Sequence, residues 1–210
     1  GSNTPKTYKD IVNHPRKDEW WLSMKKEFES MTSKQVWDIV DISHVPSGRK
    51  IIGNRWVFSE KDDGRLRART VAQGFSQIPG KDFYESHPPV VNDLTSRFAL
   101  AIKILKDLSS VQFDVETAFL YSDLEEENWM QFPAGYTEYL KETTNQVYDS
   151  SKYVLRLKKA IYGLVQAARQ WWKKFKQAMS SANYFPSVAD PCLSIKKHTS
   201  ESDISFVIIY

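Results

Sequence analysis

Val111, Phe113 and Val115 alternate with Gln112, Asp114 and Glu116 across the stretch QFDVETAFL, residues 112–120, and its approach. Alternation of period two sends the two sets to opposite faces of an extended chain. The segment therefore reads as a short half-buried strand with a carboxylate near its end. A carboxylate there, just before the chain turns, is well placed to hold a hard cation such as Mg²⁺. The same pattern also suits a plain surface aspartate at a strand end. The alternation alone does not separate the two readings.

The rest of the chain supplies both helices and strands. Asn13 and Pro15 open a helix near residue 16, with proline in the tolerated first turn. Trp20, Met24, Phe28 and Met31 then recur at helical spacing and form a core-facing stripe. Residues 92–108 predict a second helix, capped by Asp93 or Thr95, with Phe98, Ile102, Leu105 and Leu108 along one face. Residues 164–183 predict a third, with Ala168, Trp171, Trp172, Phe175 and Met179 as a broad apolar surface. Strands are expected at 35–40, 51–61, 65–74, 153–157, 192–197 and 204–210. Asp62-Asp63-Gly64 marks a hairpin between the second and third, and 198–203 a turn between the last two. Residues 116–135 read as a short helical turn followed by a loop around Pro133, and 137–151 as a polar, mobile segment. No internal repeat or long linker divides the chain. The class is α+β.

At 210 residues the chain forms one domain or two small ones, with 41% hydrophobic and 26% charged residues, ordinary fractions for a globular protein. Net charge is only +3, but the charge is segregated. Arg49, Lys50, Arg55, Lys61, Arg65, Arg67, Arg69 and Lys81 face only Glu60, Asp62 and Asp63 in their stretch. Residues 152–176 hold eight Lys or Arg and no acid. Between these lie Asp114, Glu116, Asp123, Glu125, Glu126 and Glu127. Basic surfaces flanking an acidic patch suit a polyanion held over a metal site, and equally suit two solvated faces. The single cysteine, Cys192, can form no internal disulfide, which fits a reducing compartment, and reads as a small buried hydrophobe. His14, His44, His87 and His198 lack ligand spacing, which argues against zinc. No signal peptide or apolar run of membrane-spanning length is evident. Gly1-Ser2 reads as a cloning scar.

Taken in order, several segments resemble the reverse transcriptase of copia-type LTR retrotransposons. They are EWWLSMKKEFESM with VWDIV, GRKIIGNRWVFSEKDDGRLRARTVAQGFSQIPGKDFYESHPPVV, QFDVETAFLYSDLEEENWMQFPAGY, LRLKKAIYGLVQAARQWWKKF, and DPCLSIKK with ISFVIIY. The resemblance runs from about Thr4 to Tyr210. It implies reverse-transcriptase fingers with a partial palm, an antiparallel palm sheet packed on helices. The implied segments are 3–89 and 121–162 for fingers, 90–120 and 163–210 for palm. The implied parent activity is Mg²⁺-dependent, RNA-directed DNA polymerisation from dNTPs on an RNA or DNA primer–template.

The resemblance also assigns roles. Asp114 is the first catalytic, metal-binding carboxylate, and the Val115 carbonyl faces an ion. Phe119 closes the floor of the nucleotide site against a 2′-hydroxyl; a flat rigid ring leaves no room for the extra oxygen. Lys61 with Arg67 or Arg69 clamps the triphosphate. The alternation itself places Arg65, Arg67 and Arg69 on one strand face, where guanidiniums can bond phosphate bidentately. A charged face that only keeps a hairpin soluble has the same appearance. Gly163 and Gln166 belong to the turn and helix start that support the template base and incoming nucleotide, glycine permitting close backbone approach.

The sequence departs from the family at four positions. Val165 stands where Lys is usual, Ala168 where Pro is usual, Ser122 where Gly is usual, and Pro88 where a small residue is usual. In the family the strand resembling ISFVIIY runs into Tyr-Val-Asp-Asp, and here the sequence ends at Tyr210. One aspartate cannot hold two Mg²⁺ ions, so the expectation is weak metal binding and no catalysis. The alternative is a domesticated module that binds nucleic acid or protein without polymerising. The expected location is intracellular, either cytoplasmic in a virus-like particle or nuclear. The strand at 204–210 is apolar on both faces and is expected to mediate self-association through its edge.

Overall fold

The computed structural model describes residues 4–198 and 203–210. Among them lie five α-helices and nine strands, an α+β architecture as expected. The helices are α1 (Tyr8–Val12), α2 (Lys17–Ser33), α3 (Asp93–Leu105), α4 (Tyr136–Thr144) and α5 (Ala167–Ser181). The strands are β1 (Trp37–Asp41), β2 (Ile51–Ile52), β3 (Asn54–Glu60), β4 (Leu66–Ala72), β5 (Asp123–Met130), β6 (Tyr153–Lys159), β7 (Tyr184–Pro186), β8 (Leu193–Lys197) and β9 (Ile204–Ile208). One sheet has the order β1-β6-β5-β2, with only the β5–β2 pair parallel. A second is the β3–β4 hairpin, and a third is the antiparallel β7-β8-β9.

The stripe on α2 builds the core. Trp20, Met24, Phe28 and Met31 are all fully buried. Phe28 is the hub, with ring centroids 5.2 Å from Trp56, 5.0 Å from Tyr136 and 5.1 Å from Tyr139. Trp20 meets Phe58 edge-on at 5.4 Å. Such pairs add roughly 0.5–1.5 kcal/mol each beyond their burial. They lock α2 to the β3–β4 hairpin on one side and to α4 on the other.

Several sequence expectations change. The strand expected at 51–61 is split by Gly53, whose neighbours enter different sheets, and a Cβ on Gly53 would lie 2.3 Å from Gln73 Oε1. The acidic run expected to turn and loop is instead the strand β5, held between β6 and β2. The polar segment expected to be mobile, 137–151, holds all of α4 but its first residue, because Tyr136, Tyr139 and Leu140 bury one helical face. The cap of α3 is Asn92, whose side chain accepts from the Leu94 amide, rather than Asp93 or Thr95. The face of α3 expected to be internal is covered only in part: Phe98 and Leu105 are 66% and 83% exposed, while Ile102 and Leu108 are half-buried. The turn expected at 198–203 includes residues 199–202, which lie outside the described ones.

The strand expected around Asp114 does not form. Residues 111–115 take no regular structure, and Val111 and Phe113 are exposed. A strand needs a ladder partner and a face to bury, and this segment has neither among the described residues.

Candidate functional site

The β3–β4 hairpin sorts its side chains by alternation. Trp56, Phe58, Ala68 and Thr70 turn inward and are buried, while Val57, Arg67 and Arg69 lie on the outer face. Register places Val57 opposite Arg69 and Ser59 opposite Arg67. Lys61 is exposed at the end of the hairpin, where its amide donates to the Arg65 carbonyl at 2.9 Å. Arg65 itself is bound to Asp63 at 2.7 Å, within the turn.

The end of β4 is stitched to the turn at Tyr162-Gly163. The Ala72 amide donates to the Tyr162 carbonyl at 2.8 Å, and the Gly74 amide to the Gly163 carbonyl at 3.1 Å. Gly163 has φ +90°, and a Cβ there would lie 2.1 Å from the Ala72 carbonyl oxygen. Only glycine fits both the conformation and the space.

This stitching brings residues distant in sequence together. The Arg69 guanidinium lies over the Tyr162 ring, 4.4 Å from its centroid. The Phe119 ring meets Tyr162 edge-on at 4.9 Å, with an interplanar angle of 66°. Phe119 is carried on the 3₁₀ turn Ala118–Tyr121, which the left-handed Thr117 introduces and the buried Leu120 anchors. The Ala160 amide donates to the Ser122 carbonyl at 2.8 Å and ties that turn to the end of β6. Arg69, Phe119 and Gly163, each a candidate from sequence, therefore converge. Tyr162, which joins them, stands out in the sequence only as part of a motif; an aromatic beside an obligatory glycine is the available signal.

Gln166 lies behind this surface and is fully buried. Its amide donates to the Asp82 carbonyl at 3.0 Å and its oxygen accepts from Gln77 Nε2 at 3.0 Å. Gln77 Oε1 accepts from the Val165 amide at 2.8 Å, and Gln77 Nε2 also donates to Asn128 Oδ1 at 2.9 Å. Asn128 in turn donates to the Asp82 carbonyl at 3.0 Å. Here Gln166 holds the Gly163–Val165 turn in place; its own polar atoms are occupied. Sequence reasoning misses Gln77 and Asn128, because isolated amides in a loop and an acidic strand leave no periodic trace.

Asp114 and Val115 lie on the irregular segment before Phe119, Asp114 exposed and Val115 half-buried. Gln112 Nε2 donates to the Tyr210 hydroxyl, which places this segment beside Tyr210, two residues past β9. Among the described residues no three His, Cys, Asp or Glu side chains gather to hold a metal ion. Asp114 alone supplies one carboxylate, and a site for two divalent ions needs several oxygen ligands. The residues present do not complete such a site.

The segregated charges resolve into ion pairs. On β5, Asp123 lies 3.6 Å from Lys159 and 4.0 Å from Lys174, Glu125 lies 2.9 Å from Lys173, and Glu127 lies 3.9 Å from Arg156. Lys158 pairs with Asp38 at 2.8 Å, Lys152 with Asp149 at 3.9 Å, and Arg169 with Glu85. Lys176 sits over Trp172 at 5.1 Å. The acidic run and the basic stretch 152–176 thus largely face each other. By contrast, among the described residues no ion pair involves Arg55, Lys61, Arg67 or Arg69. On the outer hairpin face, positive charge therefore remains available. Cys192 is buried, and burial pushes its thiol up, as suits a packing residue.

Residues 34–210 match the family described as reverse transcriptase (RNA-dependent DNA polymerase), and the chain belongs to that family. Its relatives are transposon polyproteins. It is 36% identical over 211 aligned positions to the retrovirus-related Pol polyprotein from transposon TNT 1-94 of Nicotiana tabacum, covering 98% of this chain and 15% of that protein. It is 31% identical to the corresponding polyprotein from transposon RE2 of Arabidopsis thaliana, and 32% to that from RE1; each match covers 92% of this chain and 13% of the relative. The chain thus spans about one seventh of the length of these relatives. No solved structure matches it. No helix among the described residues is long and apolar enough to cross a membrane.

Proposed function

We propose that this chain is the nucleotide-facing portion of a transposon reverse transcriptase, comprising fingers (3–89 and 121–162) and the first parts of the palm (90–120 and 163–210). The observation that carries this reading is the convergence of Arg69, Tyr162, Gly163 and Phe119 beside the unpaired outer face of the hairpin. A triphosphate lies along Arg67, Arg69 and Lys61, where guanidinium and ammonium groups meet its oxygens. The sugar lies toward Phe119, whose ring closes the space that a 2′-hydroxyl needs. The Gly163 backbone approaches the base, with Gln77 and Gln166 holding that turn from behind.

When bound, Mg²⁺ would supply Lewis-acid chemistry to nucleotidyl transfer. The described residues do not complete its shell, so the role of this chain is to bind and orient. Asp114 is the carboxylate it would bring to that chemistry. With one carboxylate, the 210-residue chain is expected to bind nucleotide and primer–template without extending the primer. A second reading, a binding module that does not polymerise, would use the same unpaired hairpin face.

Calorimetric titration with dGTP tests the proposal. The parent should bind, and Arg69→Ala should weaken binding about tenfold, the scale of a charge-assisted contact. A parent that takes up no dGTP overturns the reading. Extension of a primer by the parent with Mg²⁺ and dNTPs, abolished by Asp114→Asn, would exclude the non-polymerising alternative.

A further inference from the structure

Tyr162 lies between two groups with different tasks. On one side, its ring carries the Arg69 guanidinium at 4.4 Å, within the distance at which a cation is held by an aromatic face. On another, it meets the Phe119 ring edge-on at 4.9 Å. Its own position is fixed by the main chain: its carbonyl accepts from the Ala72 amide at 2.8 Å, and the next residue is the glycine pressed against that same strand end. Arg69 and Ala72 both belong to β4, so the strand that carries the guanidinium also clamps the ring beneath it.

We propose that Tyr162 is a positioning residue that couples triphosphate binding to sugar selection. The inference rests on the nucleotide-binding reading above and deepens it. A guanidinium on a flexible side chain samples many rotamers; stacking on a fixed ring restricts it to one side of the hairpin. Phe119 has the same ring as its lateral wall, so its freedom to swing aside for a 2′-hydroxyl depends on Tyr162 as well. One aromatic ring then determines both how tightly the phosphates are held and how strictly the sugar is read. The hydroxyl of Tyr162 takes no part in either contact, so the ring is the functional element.

The experiment is titration of the parent chain, Tyr162→Leu, Tyr162→Phe and Arg69→Lys with dGTP and separately with GTP, alongside thermal unfolding of each variant. Tyr162→Phe should match the parent. Tyr162→Leu should weaken dGTP binding about fivefold or more, the scale of a partly exposed cation–π contact. It should also narrow the dGTP-to-GTP preference, a ratio that a merely structural loss would leave unchanged. Arg69→Lys keeps the charge but not the planar stack and should also weaken dGTP binding; it serves if Tyr162→Leu does not fold. A parent that binds neither nucleotide overturns the nucleotide-binding reading and this inference with it. A parent that binds dGTP, with Tyr162→Leu and Arg69→Lys retaining its affinity and preference, overturns this inference alone.

Discussion

The carboxylate of Glu27, on α2, accepts a hydrogen bond from the Thr70 amide of β4 at 3.3 Å, in the middle of the protein. Burial pushes the Glu27 carboxyl up to about 7, against the pull of the Thr70 amide, Arg69, Arg67 and Lys34. The folded protein therefore holds a proton on Glu27 at pH values where the unfolded chain, at the ordinary value of 4.5, has released it. Where the native state binds more protons, stability falls as pH rises. The contribution is full below about 4.5 and is lost as pH rises through about 7. Its size is on the order of 3 kcal/mol. Denaturant unfolding between pH 4.5 and 8 should show this decline, and Glu27→Gln should remove most of it. A slope unchanged in Glu27→Gln would contradict the assignment.

Gly163 makes a second, sharper prediction. Its φ of +90° and the 2.1 Å approach to the Ala72 oxygen leave no room for a methyl group. Gly163→Ala should cost about 2 kcal/mol or more, combining backbone strain with displacement of β4. For a chain of this size that is a fall of about 4–8 °C in Tm. Gly64 offers the control. It also has positive φ, +78°, but a Cβ there meets nothing within 4 Å. Gly64→Ala should show only the backbone penalty.

The contrast between α2 and β5 shows what the sequence can reveal. The stripe Trp20, Met24, Phe28, Met31 has one period and one burial face, and the helix forms where that period places it. DLEEENWM has no strand-forming character except at its end; it becomes β5 because β6 and β2 supply ladders and because Lys159, Lys173 and Arg156 neutralise its outward acids. That is tertiary context overriding propensity. The failure at 111–115 is the converse: good alternation without a neighbour to pair with. At the site, individual residue types are legible. Arg69, Phe119 and Gly163 each stand out, but their convergence depends on Ala72 and Gly74 meeting the Tyr162-Gly163 turn, a meeting across about ninety residues that no local pattern encodes.

The helix α3 is apolar on a face the protein covers only in part. Phe98 is 66% exposed, whereas Phe28 is fully buried. Phe98→Lys should change stability by less than about 0.5 kcal/mol, in line with surface substitutions. Phe28→Ala should cost about 3–5 kcal/mol. Chemical denaturation of the two variants side by side checks this. A loss above about 2 kcal/mol in Phe98→Lys would show that the α3 face is packed in solution.

Charge pairing within the fold separates two surfaces that the sequence treats alike. The basic stretch 152–176 is largely matched by Asp38, Glu85, Asp123, Glu125, Glu127 and Asp149. The outer hairpin face is not. Binding to single-stranded RNA, measured across salt concentrations, should therefore depend on the hairpin. Arg67→Glu should weaken binding and flatten the logarithmic salt slope by about 0.7 for each phosphate no longer neutralised. Lys173→Ala, which removes a cation already held by Glu125, should leave the slope nearly unchanged. Equal effects of the two substitutions would mean that the α5 face also meets the polyanion.

The last prediction concerns β9. It pairs with β8 on one side and stands at the edge of its sheet, with Ser194 opposite Val207 and Ile195 opposite Phe206. All five of its residues are partly exposed, and four of them are apolar. No charge lies between Ile204 and Tyr210 to discourage another strand from docking. Exposed edges of this composition recruit a second chain through their unpaired N–H and C=O groups. The protein is expected to self-associate through β9, as an edge-paired dimer or by exchange of the strand. Val207→Lys puts a charge on that edge without touching Phe206 or Ile208, and should shift the population to monomer. Size-exclusion chromatography with light scattering over a range of concentrations provides the measurement. A parent that stays monomeric at the highest concentration, or a Val207→Lys protein that associates as strongly as the parent, would rule β9 out as the contact.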